Sequence, residues 1–231
     1  AAVIDEGLRA YMNKVYGLMT VGMLVTAAVA YGFAQMAGGP GAWTEFGRVI
    51  YQSPVRWVIM FLPLLMVFAF GAALNRLSTQ GATLMFYAFA AAMGASLSSI
   101  FLRYTDASIV TTFLATAGGF AALSLYGYTT KRDLTAMGRF LIIGLVGLII
   151  AMIVNIFVGS GAVAFAISTI GVLIFAGLTA YDTQRIKNTY LELAASNSDF
   201  IGKSAIMGAL TLYLDFLNLF TFLLSFMGQQ E

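Results

Sequence analysis

Polar and apolar positions divide the chain into an opening of fourteen residues that carries Asp5, Glu6, Arg9, Asn13 and Lys14 and seven long apolar stretches. These lie near 15–37, 55–75, 81–102, 108–128, 140–159, 162–181 and 205–227. Each is free of interior charge except the last, which carries Asp215. A helix needs about 20 mostly apolar residues to cross roughly 30 Å of hydrocarbon, so each stretch predicts one span. Turn and charge signals separate them: Gly38-Gly39-Pro40, Asn75-Arg76, Arg103 with Asp106, Lys131-Arg132-Asp133, Gly159-Ser160-Gly161 and the polar segment 182–203. Short blocks of alternating polarity are absent, which argues against a β-barrel. The expected architecture is an all-α integral membrane protein, with an N-terminal segment over 1–14 and seven transmembrane helices over 15–228.

Basic residues set the expected orientation, because they concentrate on the cytoplasmic side. With the N-terminus inside, the inner segments hold Arg9, Lys14, Arg76, Lys131, Arg132, Arg139, Arg185, Lys187 and Lys203. The outer segments hold only Arg48, Arg56 and Arg103. The N-terminus is therefore expected in the cytoplasm and the C-terminus outside. Small residues recur within the spans, at Gly17 and Gly22, Ala91 and Ala95, Ser98 and Ser99, Gly118 and Gly119, and Gly144 and Gly147. In lipid such residues let backbones approach closely, so they predict packing positions in the bundle, with a dimer seam as the alternative.

Composition sharpens this picture by exclusion. Of 231 residues, 60% are hydrophobic and only 10% charged, where soluble domains carry about 25% charge. Histidine and cysteine are absent, which removes His-ligated zinc, Ser-His-Asp hydrolysis, thiolate metal sites and disulfides. A net charge of +2, scattered along the chain, is no nucleic-acid footprint. No P-loop is present to drive transport with ATP. A retinal-type lysine is missing too, since Lys203 precedes the last span. The polar first fourteen residues predict no signal peptide.

Eight of the ten acids fall in loops or tails, leaving Asp182 and Asp215. Asp215 lies about eleven residues, or roughly 16 Å, inside the last span. An ionised carboxylate there costs at least ~2.5–3.5 kcal/mol, so it should be protonated, paired or facing water. Thr211, Asp215 and Asn218 form one narrow polar stripe on that helix. Asp182 ends the sixth stretch, beside Arg185 and Lys187. Hydropathy puts Asp182 at the inner boundary and Asp215 near the midplane, so they meet only if the sixth helix reaches deeper or a vestibule reaches inward. Arg76 closes the second span at about the depth of Asp182. Asn155, inside the fifth span, reads as interhelical hydrogen-bonding support.

Several motifs carry a family resemblance: SLSSIFLRYTDASI (96–109), AALSLYGYTTKRDLTAMG (121–138), GLTAYDTQRIKN (177–188) and GALTLYLDFLNLF (208–220). Together, and from AYMNKVYGLMT (10–20) onward, the chain resembles the bacterial branch of the transmembrane Bax inhibitor motif family, the Bax-inhibitor-one proteins. The resemblance implies a seven-helix fold with the last helix central. It further implies a pH-sensitive calcium leak channel gated by an aspartate pair, at positions matching Asp182 and Asp215. Arg76 matches the basic residue that latches the pair. Some relatives carry an acid in helix two, whereas here that helix has none.

The residues suit that role chemically. Two carboxylates in one low-dielectric site cannot both ionise cheaply, so they titrate as a coupled pair. Calcium takes oxygen ligands in flexible geometry, and Asp215 and Asp182 with Thr211, Asn218, carbonyls and water would give it a transient station. Thr211, Asn218 and Asn155 are thus candidates for ion-path or polar-support residues. Calcium is the permeant ion, the lipid bilayer the surroundings, and no cofactor is expected. Two other readings compete. An intramembrane aspartyl protease also uses two aspartates, one after a tyrosine as in Tyr181-Asp182, but its second stands in Gly-x-Gly-Asp. Here the sequence is Leu212-Tyr213-Leu214-Asp215, so no enzyme is expected. The alternative is a non-catalytic regulator acting through a membrane-protein partner, such as a protease or a stress or cell-death complex.

Overall fold

The computed structural model describes residues 2–39, 41–74, 76–194 and 198–228. Seven long helices carry the fold: α1 (Ala2–Ala37), α2 (Val55–Ala73), α3 (Thr79–Leu97), α4 (Asp106–Thr129), α5 (Thr135–Val158), α6 (Gly161–Leu193) and α7 (Ser198–Met227). All seven are long and apolar enough to cross a membrane. Three differ from the hydropathy reading by seven residues or more, and one of these, α7, begins at Ser198 rather than near 205. Helix α1 is continuous from Ala2, so the polar opening forms the first turns of the span helix. Helix α6 continues twelve residues past Tyr181, through sequence expected to be a polar connection.

Local chemistry sets the starts of two helices. Ser78 accepts the Gly81 N–H at 3.2 Å and caps α3. Thr105 accepts the Ser108 N–H at 3.2 Å and caps α4.

The chain divides into two compact units. Residues 1–104 and 193–210 form the first, and residues 105–192 and 211–229 the second. In the first unit, α3 packs against both α1 and α2. The crossing with α1 is tight because Gly94 has no side chain: a Cβ there would lie 2.9 Å from Val29 Cβ and 3.1 Å from Thr26 Cα. The Thr26 hydroxyl bridges the same crossing, directed at the carbonyl oxygens of Gly22 (3.0 Å) and Ala90 (2.9 Å). The first half of α7 joins this unit. Tyr11 and Ser204 share a 2.8 Å hydrogen bond, and the Thr79 hydroxyl donates to Asp199 at 2.7 Å.

In the second unit the core lies among α5, α6 and α7, around Leu148, Ile167, Ile174, Phe175, Leu178 and Leu219. Phe216 of α7 meets Phe113 and Phe120 of α4 edge to face, with ring centroids 5.5 and 5.4 Å apart. Helix α5 keeps its apolar side chains outward; Phe140 is 73% exposed and Phe157 85%. Such a helix is stable only where lipid covers it. The last helix is the most enclosed of the seven, with 61% of its span buried against 33% or less elsewhere.

The expected packing glycines are only partly used. Gly144 meets Ile174 at 3.4 Å, whereas Gly17, Gly118, Gly119 and Gly147 have nothing within 4 Å of where a Cβ would stand. Close approaches occur instead at Gly94, Gly127, Gly138 and Gly171.

Candidate functional site

The continuation of α6 builds the site. Beyond Tyr181 it buries Asp182, Thr183, Gln184, Ile186 and Tyr190. One face of the segment 182–193 is buried in protein with its polar groups, while Arg185, Asn188 and Glu192 are exposed, so hydropathy alone reads it as a connection. Asp182 is therefore not the end of the sixth helix but lies eleven residues before it.

Three contacts fix this stretch of α6. The Gln184 side chain clamps the α4–α5 connection, accepting the Leu134 N–H at 2.9 Å and donating to the Arg132 carbonyl at 2.8 Å. Ser124 of α4 and Thr183 share a 2.9 Å hydrogen bond. Since the Thr183 hydroxyl donates to the Thr179 carbonyl at 2.7 Å, Ser124 is the donor of the pair. Gly127 brings α4 against the backbone of Ala180, where a Cβ would stand 2.8 Å from the carbonyl carbon and 2.9 Å from Cα.

Within this frame Asp182 and Asp215 meet. Both are buried, 6% and 5% exposed, and their carboxyls lie within hydrogen-bonding reach of one another. The two meet although hydropathy separates them in depth. Asp182 Oδ1 also pairs with Arg185 Nη2 at 2.9 Å, one turn on along the same helix. Asp215 Oδ2 is buried and meets no hydrogen-bond donor among the described residues. A buried oxygen left without a donor is costly.

The other candidates are each placed by their own local contacts. Asn218 donates to the Leu214 carbonyl of its own helix at 2.8 Å. Thr211 is half-buried on α7. Asn155 was expected to bridge two helices, but its Oδ1 accepts the Ser160 N–H at 3.1 Å and closes the α5–α6 turn. A side-chain acceptor five residues before a helix connection finds the turn's N–H groups first. Arg76 is exposed in the turn after α2, in the first unit. The basic partner of Asp182 is Arg185, which sequence reading left as ordinary flanking charge. Its i, i+3 spacing in Asp182-Thr183-Gln184-Arg185 was the available signal. Gln184 and Ser124 were also missed, since a lone polar residue carries no pattern.

No group of three or more metal-ligating acids occurs among the described residues. Two carboxylates, one already paired with an arginine, suit a passing cation better than a resident one.

Comparison with known proteins agrees with this architecture. A profile of the Bax1-I family, described as "Inhibitor of apoptosis-promoting Bax1", matches residues 8–231. The chain is 43% identical over 226 residues to the inner membrane protein YbhL of Escherichia coli K12, covering 97% of this chain and 94% of YbhL. It is 43% identical over 227 residues to a protein of Caulobacter vibrioides, covering 97% and 90%. A membrane protein of Streptococcus pyogenes serotype M3 is 35% identical over 228 residues, covering 98% and 96%. The chain therefore belongs to the Bax1-I (Bax inhibitor-1) family, as an integral protein of the bacterial inner membrane.

Proposed function

We infer that the protein is a passive, pH-sensitive leak channel for calcium, with Asp182 and Asp215 as its proton-controlled gate. The observation that carries this reading is the buried carboxyl pair joining α6 to α7, with Asp215 Oδ2 left without a donor. A pair that shares one proton holds its helices together, and a change in proton count changes that contact and biases a two-state bundle. Calcium then crosses on carboxylate, carbonyl and water oxygens without being stored.

Contact between the carboxyls is common to both readings; what favours a gate over aspartyl proteolysis is that Asp215 stands in Leu212-Tyr213-Leu214-Asp215 and not in Gly-x-Gly-Asp. The distribution of basic residues supports a cytoplasmic N-terminus and a C-terminus outside. The latch role of Arg76 belongs to the same reading and predicts that Arg76→Gln raises flux in the closed condition.

The test is calcium entry into dye-loaded liposomes carrying the purified protein, stepped across pH. Protein-dependent, pH-graded entry supports the channel. Entry equal to that of empty liposomes at every pH refutes it and leaves a regulator acting through a membrane partner as the better account.

A further inference from the structure

Arg185 links the buried pair to the protein surface. Its side chain is 49% exposed while that of its partner Asp182 is 8% exposed. The bridge occupies Nη2, one corner of a guanidinium that offers five N–H donors. The group also lies over the Tyr181 ring, 5.7 Å from its centroid. Gly138, the chain neighbour of Arg139, packs against the same ring. Gln184 holds the carbonyl of Arg132 from the next position on α6.

The rim is positively charged overall. Along the chain, the α4–α5 connection, the start of α5 and this part of α6 hold Lys131, Arg132, Arg139 and Arg185 against Asp133 and Asp182. Asp133 is engaged by the Thr135 N–H at 2.9 Å and the Thr135 hydroxyl at 2.6 Å. Lys187 is turned away, donating to the Tyr128 carbonyl at 2.7 Å.

Position identifies what meets this charge. Arg185 lies about 24 residues along α6 from Gly161, or roughly 36 Å at 1.5 Å per residue. Hydrocarbon ends near 30 Å, and headgroups extend the bilayer to about 40–45 Å. Next to Arg139 stands Phe140, 73% exposed, and one turn on Ile143, 72% exposed. The rim therefore lies at headgroup depth, directly above side chains that face acyl tails.

We propose that Arg185, Arg139 and Arg132 bind the phosphate headgroup of an anionic phospholipid, which competes with Asp182 for the Arg185 guanidinium. A phosphate matches the guanidinium fork in two parallel bonds, so the headgroup draws Arg185 outward. The charge beside the buried carboxyls then falls by one. The groups facing that pair are Asp182, Asp215 and Arg185. Lipid binding stands apart from the channel reading; only its effect on flux rests on it.

The experiment titrates the purified protein with phosphatidylglycerol and with phosphatidylcholine, and counts retained lipid by native mass spectrometry. Wild type should retain phosphatidylglycerol in preference, and Arg185→Gln should weaken that retention by on the order of tenfold. Arg185→Lys, which keeps the charge and loses the fork, should fall between. Equal retention by wild type and Arg185→Gln, or no preference over phosphatidylcholine, overturns the proposal. Displacement of the lipid by low inorganic phosphate also overturns it, since the site would then take a free anion. In liposomes, adding phosphatidylglycerol should displace the midpoint of calcium flux against pH more for wild type than for Arg185→Gln. Because surface charge acts on both proteins alike, equal displacement refutes competition at Asp182 even if lipid binds.

Discussion

Gly127 is where a single methyl group should most disturb the frame around the carboxyl pair. A Cβ there would stand 2.8 Å from the carbonyl carbon and 2.9 Å from the Cα of Ala180. Carbon atoms in contact prefer about 3.5–4.0 Å, so α4 and α6 must separate by roughly 0.7–1 Å. The obstruction is helix backbone, which cannot rotate aside as a side chain would. Over-packing of this kind costs typically about 1–3 kcal/mol. The movement falls at the crossing spanned by the 2.9 Å hydrogen bond of Ser124 and Thr183, with Ala180 two residues before Asp182 and five before Arg185. Gly118 of the same helix supplies the control, because nothing lies within 4 Å of its Cβ position. There alanine removes only glycine's conformational freedom and should stabilise by about 0.5–1 kcal/mol. Thermal unfolding of the two variants in detergent should therefore separate them by about 1.5–4 kcal/mol on opposite sides of wild type. A Gly127→Ala protein as stable as Gly118→Ala would refute the close approach.

Further predictions concern the α4–α5 connection. Gln184→Ala strands the Leu134 N–H and the Arg132 carbonyl and should destabilise by about 1–3 kcal/mol, with earlier proteolysis between α4 and α5; unchanged stability and cleavage would contradict the clamp. At Asp133, the hydroxyl and N–H of Thr135 hold the carboxyl below its ordinary value of 3.8. A depressed carboxyl contributes stability above its ordinary value and loses it as pH falls through the folded value. Asp133→Ala should thus be slightly less stable than wild type near neutral pH, with the gap closing in acid; a gap that widens in acid would reverse the assignment.

Much of this architecture was legible in the sequence, for identifiable reasons. The seven spans were readable because lipid demands long apolar runs, and α5 is the plainest case, with its exposed Phe140, Ile143 and Phe157. The end of α6 was not readable. Hydropathy separates lipid from water, whereas Thr183 and Gln184 are buried in protein and bonded there. Missing that end made Asp182 look like the last residue of its helix. The aspartates themselves stood out because charge inside a span is rare. Their meeting depends on packing along α6 that no single stretch of sequence reveals. Arg185 was visible at i, i+3 but indistinguishable from ordinary flanking charge. Gly127 and Gly118 look alike as letters, yet one faces a helix backbone and the other open space.

The central claim is that the Asp182–Asp215 pair senses pH for a calcium path. It is tested most directly by calcium flux across pH in liposomes carrying wild type or Asp215→Asn. Asparagine keeps the shape and removes the shared titration, so the variant should fold, still pass calcium, and respond to pH with a flattened or displaced profile. Flux curves for Asp215→Asn that overlay wild type at every pH would contradict the account.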